Sequence, residues 1–385
     1  MSPGGAGGPG GQPPGAPRDT WSKKKDGDAE REARAARVRA GFAMQGRACG
    51  RLGSPFMARL MALCAERLAP GGAVADAVLF WPGDAGIAAD NPMLRLAGGL
   101  HRLVLAGTDA DLARVYPPHE VPEGALWSAV ERALARHAGA LLEALDRAPQ
   151  TNEVRRAAAL IPALGMVAAA TGKPLALWEL GCAAGLNLRA DLFRLEASGM
   201  AWGPAGAAPL LRPDWEGPAP APSPFEVVER RGVDLAPLDP ARPEDRLRLL
   251  SYLWPDQPER RTLAEAALAR AAEAPAEVAR GDAVDWLRAE LPRRREGVAT
   301  VVFHTVAWQY LPEVARGKGE ALIKAAGARA TRDAPLARIG MEADGERRAR
   351  LALTLWPGGA TAALARVDFH GRAVAWTGPV AVPRP

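Results

Sequence analysis

The spacing of hydrophobic and polar positions divides the chain into two regions. Between about residues 28 and 150, apolar residues recur every three or four positions, most regularly in residues 55–68, 94–105 and 125–145. This period predicts amphipathic helices. Clusters of Pro, Gly and Asp interrupt the region, so we expect consecutive helices and no strand.

The pattern changes after about Thr151, where short apolar runs alternate with helical segments. Such alternation is typical of βαβ units around a parallel sheet. A segment rich in Pro, Gly and Ala, residues 198–223, separates the first two strands, and Pro357-Gly358-Gly359 predicts a reversal and an antiparallel pair at the end of the sheet. The predicted strands are residues 175–179, 225–229, 277–280, 299–304, 336–341, 351–356 and 362–369.

These patterns predict a three-part α/β chain. A Gly/Pro-rich tail covers residues 1–27, a helical N-terminal region covers 28–150, and a domain with a mostly parallel sheet covers 151–385. The tail has too little apolar surface to offset the entropy of ordering, so we expect it to be disordered. An apolar share of 48% over 385 residues is enough to fill a sizeable core.

Neither export nor membrane insertion is indicated. The N-terminus has no apolar core segment, which argues against a secretory signal. The longest uncharged run, residues 157–172, is shorter than the roughly 20 residues of a membrane span. The three cysteines, Cys49, Cys64 and Cys182, show no pair spacing, so neither a disulfide framework nor a metal site is expected. We therefore expect a cytoplasmic protein.

A nucleic-acid partner is suggested only by the net charge of +5 and the pI near 9.4. The basic residues mostly alternate with acidic ones, as in Glu30-Arg31-Glu32-Ala33-Arg34, which is typical of a solvated helix face. The charge pattern therefore favours a basic surface without nucleic-acid binding.

The segment Glu179-Leu180-Gly181-Cys182-Ala183-Ala184-Gly185 carries the clearest chemical signal. An apolar strand ends in an acid and continues into small residues that let a ligand and a following helix, beginning near Leu186, come close. The spacing does not match Gly-x-Gly-x-x-Gly, so a dehydrogenase dinucleotide site is not predicted. Glu179 suits a cationic or amino-acid-like ligand better than a pyrophosphate. The alternative is an ordinary strand-to-helix turn.

This segment resembles the first signature motif of S-adenosylmethionine-dependent methyltransferases, which implies a Rossmann-like methyltransferase sheet. Arg231-Gly232-Val233-Asp234 is similar to the end of that family's second strand, where Asp234 would accept the ribose hydroxyls; Glu229 remains a rival. Gly281-Asp282-Ala283 is similar to the segment after that family's third strand, where Asp282 would contact the adenine amino group. Asp234 could instead brace a turn, and Asp282 could instead be a helix N-cap.

Residues 301–310 are similar to the fourth strand and the loop that meets cofactor and substrate. They lack the Asn/Asp-Pro-Pro-Tyr of enzymes that methylate base amino groups, which argues against nucleic-acid bases as substrate. His304 is the candidate base because an ordinary histidine pKa of about 6.5 allows it to accept a proton near neutrality. A structural histidine is the alternative. Trp254, Trp308 and Tyr310 could form an aromatic wall or belong to the core.

A second resemblance covers most of the chain. Asp90-Asn91-Pro92, Gln150-Thr151-Asn152-Glu153-Val154, Leu253-Trp254-Pro255-Asp256-Gln257 and residues 303–311 resemble the bacterial family called domain of unknown function 2332. This resemblance implies a helical region joined to a methyltransferase-like domain and confers no activity. Thr151 could cap the following helix, with Asn152 and Glu153 in its first turn, or Asn152 and Glu153 could lie over the pocket.

Together these observations predict a methyltransferase that uses S-adenosylmethionine and no metal to modify a small molecule, with the helical region as a lid. A binding protein without catalysis is the alternative, and an RNA-associated protein is a weaker third. The predicted catalytic residues are His304 and Tyr310; the cofactor-binding residues are Glu179, Gly181, Ala183, Gly185, Asp234, Asp282, Ala283 and Phe303; the substrate-binding residues are Asn152, Glu153, Trp308 and Gln309.

Overall fold

The computed structural model describes residues 27–87 and 89–381, and these form two compact units. The first unit ends at Gln150 and also contains Ser251–Gln257; the second contains Thr151–Leu250 and the chain from Pro258 onward. The boundary at Gln150 coincides with the change of pattern in the sequence, whereas Ser251–Gln257 was expected in the second unit. Except for Gly27, the predicted tail lies outside the described residues.

The first unit consists of helices, with no strand among its described residues. Short polar side chains fix two helix starts: Ser54 accepts a hydrogen bond from Met57 N, and Asn91 accepts one from Leu94 N. In both cases proline is the first helical residue, where its missing N–H costs nothing. The helices are α1 Asp28–Arg51, α2 Pro55–Arg67, α3 Ala73–Leu79, α4 Pro92–Leu105, α5 Ala110–Ala113, α6 Glu123–Arg136 and α7 Ala138–Leu145.

The segment Ser251–Gln257 completes this unit. Trp254 lies in the hydrophobic core that the helices share. A Cβ atom at Gly98 of α4 would come within 2.5 Å of the Tyr252 ring, so glycine is needed for this contact. Asp256 accepts hydrogen bonds from Ser54 Oγ and from Phe56 N (2.8 Å) at the start of α2. The segment therefore supplies both core and helix-capping groups.

The second unit is mixed α/β. Its helices are α8 Ala157–Thr171, α9 Pro243–Ser251, α10 Pro258–Glu273, α11 Ala283–Glu290 and α12 Glu313–Ala328. Its strands are β1 Leu175–Leu180, β2 Arg194–Ala197, β3 Met200–Trp202, β4 Leu210–Leu211, β5 Asp214–Glu216, β6 Val227–Asp234, β7 Glu277–Arg280, β8 Ala299–Thr305, β9 Leu336–Glu342, β10 Ala349–Trp356, β11 Ala360–Val367 and β12 Ala373–Trp376.

The main sheet has the strand order β5-β12-β11-β10-β9-β8-β1-β6-β7. Five neighbouring strands, from β9 to β7 in this order, are parallel. As predicted, β10 and β11 form an antiparallel pair. From β1 the chain first adds strands on one side and then returns to the other side with β8, so the order reverses between β1 and β8. In open α/β sheets, ligands bind outside the carboxyl ends of the strands at such a reversal.

Side chains alternate between the two faces of the central strands. Trp178 and Leu180 of β1 join a buried cluster on the face covered by α11 and α12. The other face is covered by α8, which contacts β8, β9, β10 and β11. By length and apolar composition the helical segment Val154–Thr171 could cross a membrane, but 83% of it is buried within the structure, as expected for a core helix.

The observed elements correct three expectations. The second strand runs over Val227–Asp234, not over residues 225–229. Residues 198–223 are not a plain loop, because they contain β3, β4 and β5; β3 and β4 form a small sheet with β2. The expected helix after the glycine motif is a 3-10 helix, Leu186–Leu192.

Candidate functional site

The turn after β1, residues 181–185 and here called the glycine turn, lies at the reversal of strand order. Gly181, Ala183 and Gly185 all have positive φ, at 69°, 52° and 64°. A Cβ atom at Gly181 would come within 2.7 Å of the Ala307 Cβ. Glycine is therefore needed both for the backbone conformation and for contact with the loop that follows β8.

Most amides of the glycine turn donate to groups of the protein. Gly181 N and Cys182 N donate to Val233 O, at 2.9 and 3.3 Å. Ala183 N donates to Asp234 Oδ2 (2.8 Å), and Leu186 N donates to Asn152 Oδ1 (2.8 Å). A phosphate-binding turn needs such amides for its anion. The arrangement therefore favours a ligand that does not present a phosphate here.

Asp234 is the last residue of β6 and links the ends of three strands. Besides Ala183 N, its carboxylate accepts a hydrogen bond from Ala236 N (2.9 Å). Its main-chain oxygen accepts one from Gly281 N (3.0 Å), just after β7. The rival Glu229 lies within the strand, where it bonds to Trp178 Nε1 (2.7 Å) and pairs with Arg295. Only Asp234 of these two acids lies at the carboxyl edge.

Asp282 has the capping role that the sequence left open. Its Oδ1 accepts hydrogen bonds from Val284 N (2.8 Å) and Asp285 N (3.0 Å) at the start of α11. Ala283 is the first residue of that helix and packs against the buried cluster. Asp282 lies at the same sheet edge as Asp234 because β6 and β7 are adjacent and parallel.

Glu179 is the penultimate residue of β1, just before the glycine turn, and is 2% exposed. Within the described chain, its Oε2 has no hydrogen-bond partner, and neither has Oδ1 of the buried Asn187. Burial raises the pKa of Glu179 to about 8, and the nearby guanidinium groups of Arg189 and Arg156 only partly oppose this. Two buried acceptor oxygens without donors call for a proton, a water or a ligand N–H group.

Asn152 and Glu153 also act within the protein. Asn152 Oδ1 satisfies the first amide of the 3-10 helix after the glycine turn. Glu153, not Thr151, caps the 3-10 helix Val154–Arg156, which precedes α8, through Arg155 N (3.2 Å). Glu153 also forms a buried ion pair with Arg260 (2.6 Å). Burial alone would raise the pKa of Glu153, but the positive charge of Arg260 and its neighbours lowers it to about 2. Of the two roles expected for Asn152 and Glu153, these contacts match the capping of helix starts.

His304 does not have the geometry expected of a base. Its Nδ1 lies 2.7 Å from Glu342 Oε1, and its Nε2 accepts a hydrogen bond from Arg338 Nε (3.2 Å). The ring is 2% exposed, stacks on Trp308, and has a pKa lowered chiefly by burial. Because Phe303 is the register partner of Glu179, His304 lies on the other face of the sheet. These contacts match a structural role for His304, the alternative to its expected role as a base.

Two of the three residues of the predicted aromatic wall lie in hydrophobic cores, which was the alternative. Trp254 belongs to the core of the first unit, whereas Trp308 is 4% exposed within the second unit. Phe303 is also buried, at 1% exposure, inside β8. In the loop that follows β8, Gln309 accepts a hydrogen bond from Ala343 N (2.9 Å), and Tyr310 is 62% exposed. Tyr310 therefore remains the accessible candidate for contact with a substrate.

Four residues that sequence reasoning missed shape this edge: Asn187, Arg189, Arg156 and Glu342. Arg189 donates to Gly185 O (2.6 Å) beneath the glycine turn, and Arg156 donates to Thr305 O (2.9 Å) at the end of β8. Glu342 ends β9, so an acid at the end of a predicted strand was an available signal. The two arginines carried no local signal because their partners are main-chain oxygens.

In the described part of the chain, no group of three or more His, Cys, Asp or Glu residues could hold a metal ion. All three cysteines lie in that part, are buried, and form no disulfide.

The chain belongs to a bacterial family described as "uncharacterized protein conserved in bacteria", domain of unknown function 2332, whose sequence profile matches residues 39–376. No curated protein and no solved structure matches the chain. The motifs that carried this resemblance divide between the units. Residues 90–92 and 253–257 lie in the first unit, whereas residues 151–154 and 303–311 lie in the second, around the glycine turn and the loop that follows β8.

Proposed function

We propose that the second unit is a Rossmann-like methyltransferase-like domain that binds S-adenosylmethionine at the carboxyl edge of β1, β6 and β7. One observation carries this proposal: these three parallel strands are neighbours. The strands that lead to the glycine turn, Asp234 and Asp282 therefore end side by side. These three segments resemble the cofactor-binding motifs that follow the first three strands of methyltransferases. Methyl transfer to a small molecule is the function that this arrangement supports best.

The groups present fit the parts of this cofactor. The half-buried Asp234 carboxylate offers oxygens that can accept vicinal ribose hydroxyls. A ligand ammonium group beside Glu179 Oε2 and Asn187 Oδ1 would favour loss of the Glu179 proton and would find two acceptor oxygens there. When bound, the cofactor would supply an electrophilic methyl group. The chain would contribute mainly orientation and the exclusion of water.

A second function is favoured by one specific observation. Both ring nitrogens of His304 are hydrogen-bonded within the protein, so the expected base is engaged elsewhere. This favours a protein that binds S-adenosylmethionine or a related nucleoside without catalysis. If methyl transfer does occur, Tyr310 is the predicted catalytic residue that is exposed and can take part in it.

Calorimetry with S-adenosylmethionine and S-adenosylhomocysteine tests both functions. We expect Asp234→Asn to weaken binding about tenfold or more, since a hydrogen bond to a charged group contributes about 1.5–3 kcal/mol. Asp239→Asn, which changes an exposed carboxylate in the following loop, is the matched control and should bind like wild type.

Turnover separates the two functions. Formation of S-adenosylhomocysteine with a metabolite extract would favour the enzyme, and binding without turnover would favour the binding protein. If neither cofactor binds to the wild-type chain, both proposals are wrong.

A further inference from the structure

The loop that follows β8, residues 306–310 and here called the β8 loop, is held by one carboxylate. Glu342 Oε1 accepts hydrogen bonds from Ala307 N and Trp308 N, both at 3.1 Å, and Oε2 accepts one from Gln309 N (3.2 Å). His304 Nδ1 approaches the same Oε1 at 2.7 Å. A carboxylate that accepts several N–H groups forms strong, charge-assisted hydrogen bonds.

The neighbours of His304 determine which of its nitrogens carries the proton. Arg338 Nε can only donate, so His304 Nε2 must accept and Nδ1 must carry the hydrogen that points to Glu342. A Cβ atom at Gly340 would come within 2.9 Å of the ring. Glycine at this position lets the histidine lie flat against β9. The imidazole is therefore fixed between an acceptor and a donor.

The position of the β8 loop matters because it packs against the glycine turn. Val306 has a positive φ of 52°, and the Cβ of the next residue, Ala307, occupies the space that a side chain at position 181 would need. A β-branched residue in this backbone region is strained, so surrounding contacts must hold it there. The contacts of Glu342 provide that restraint.

We propose that Glu342 and His304 form a positioning pair that fixes the β8 loop beside the glycine turn and so sets the shape of the ligand site without touching the ligand. The identity of the ligand rests on the proposed function; the restraint of the loop does not. Charged groups near the pair are Arg338, Arg156 and, beyond Arg338, the exposed Glu320.

The decisive variant is Glu342→Gln. Its side-chain amide keeps the size of glutamate but replaces one acceptor oxygen with an N–H₂ group, which would oppose a donor of the loop or of His304. We expect the amides of Ala307, Trp308 and Gln309 to exchange hydrogen about tenfold faster or more. We also expect weaker binding of S-adenosylhomocysteine by a similar factor in calorimetry. Glu320→Gln changes a 55% exposed carboxylate near the same arginine and should alter neither result.

His304 provides a second pair of variants that does not depend on the fold tolerating Glu342→Gln. His304→Leu removes the donor to Glu342 and should speed exchange of the same amides. His304→Asn restores a donor close to the Nδ1 position and should recover much of the protection.

Unchanged exchange of the three amides in folded Glu342→Gln would overturn the proposal. Faster exchange with unchanged ligand affinity would overturn it as well, because the loop would then not shape the site. If wild type fails to bind S-adenosylhomocysteine, the proposed function fails, and the restraint of the loop is judged by amide exchange alone.

Discussion

At the scale of single residues, Gly181 must be glycine for two reasons: its positive φ and the lack of space for a Cβ atom. A second glycine, Gly172, has only the positive φ and so separates the two effects. Gly181 has φ 69° and a neighbour within 2.7 Å of its Cβ position, whereas Gly172, at the end of α8, has φ 64° and nothing within 4 Å. We expect Gly172→Ala to lower the free energy of unfolding by about 1–2 kcal/mol through backbone strain. Gly181→Ala should cost about 1–3 kcal/mol more through the clash with Ala307.

Urea unfolding of both variants measures this difference. Equal losses for the two substitutions would mean that Ala307 moves aside without cost. The glycine turn and the β8 loop would then be less tightly packed than the structure indicates.

Glu179 gives the protein a pH dependence of known sign. Burial raises its pKa from 4.5 to about 8, so between these values the folded protein holds a proton that the unfolded chain has released. The contribution of Glu179 to stability is therefore full below about pH 4.5 and falls as the pH rises towards 8, by up to about 1.4 kcal/mol per pH unit.

Glu179→Gln isolates this effect because glutamine cannot ionise. We expect the difference in unfolding free energy, wild type minus variant, to decline between pH 5 and pH 8 in chemical denaturation. A flat difference over that range would show that Glu179 is ionised in the folded protein.

The sequence predicted the local geometry of these two residues better than it predicted the contacts of the surrounding polar ones. Gly181 and Glu179 belong to a local motif whose strand, turn and spacing are visible in one stretch. Glu153 and His304 were assigned roles at the site, but their contacts with Arg260 and Glu342 join distant parts of the chain. Such partners depend on strand order, which local patterns do not specify.

At the scale of elements, prediction was most accurate where a strand is apolar and bounded by turn residues. The predicted strands 175–179, 299–304 and 336–341 each end within one residue of β1, β8 and β9, and β10 and β11 form the predicted antiparallel pair. The short strands β3, β4 and β5 were missed because Pro and Gly dominate their region. Their stability comes from distant partners: Trp215 of β5 stacks between Trp202 and Trp376, with ring centroids 6.1 and 5.8 Å away.

The 3-10 helix after the glycine turn shows how tertiary contacts change an element. Its N-cap residue, Gly185, is left-handed at φ 64°, and the amide of Leu186 is taken by Asn152 from another segment. Arg189 departs from helical geometry within the element while donating to Gly185 O and Ala274 O. An apolar period could predict a helical turn here but not its tight form.

At the scale of the whole molecule, Ser251–Gln257 lies between two helices of the second unit in sequence but belongs to the first. We expect Asp256→Ala to loosen the start of α2 and to cost about 1 kcal/mol, as for loss of a helix cap, because Ser54 and Phe56 N lose their acceptor. Hydrogen exchange followed by mass spectrometry should show faster exchange in α2. The exposed Glu259→Ala should leave that helix unchanged, and an effect confined to α10 would contradict the assignment.

This insertion also bears on the order in which the protein is made. The ribosome completes helices α1 to α7 of the first unit, the last of which ends at Leu145, well before it reaches Trp254 and Asp256. At about 5–20 residues per second, the nascent helical bundle waits on the order of ten seconds for its last core residue. During that interval β1 and β6 of the second unit are synthesised. The first unit therefore completes its core only after much of the second unit has left the ribosome.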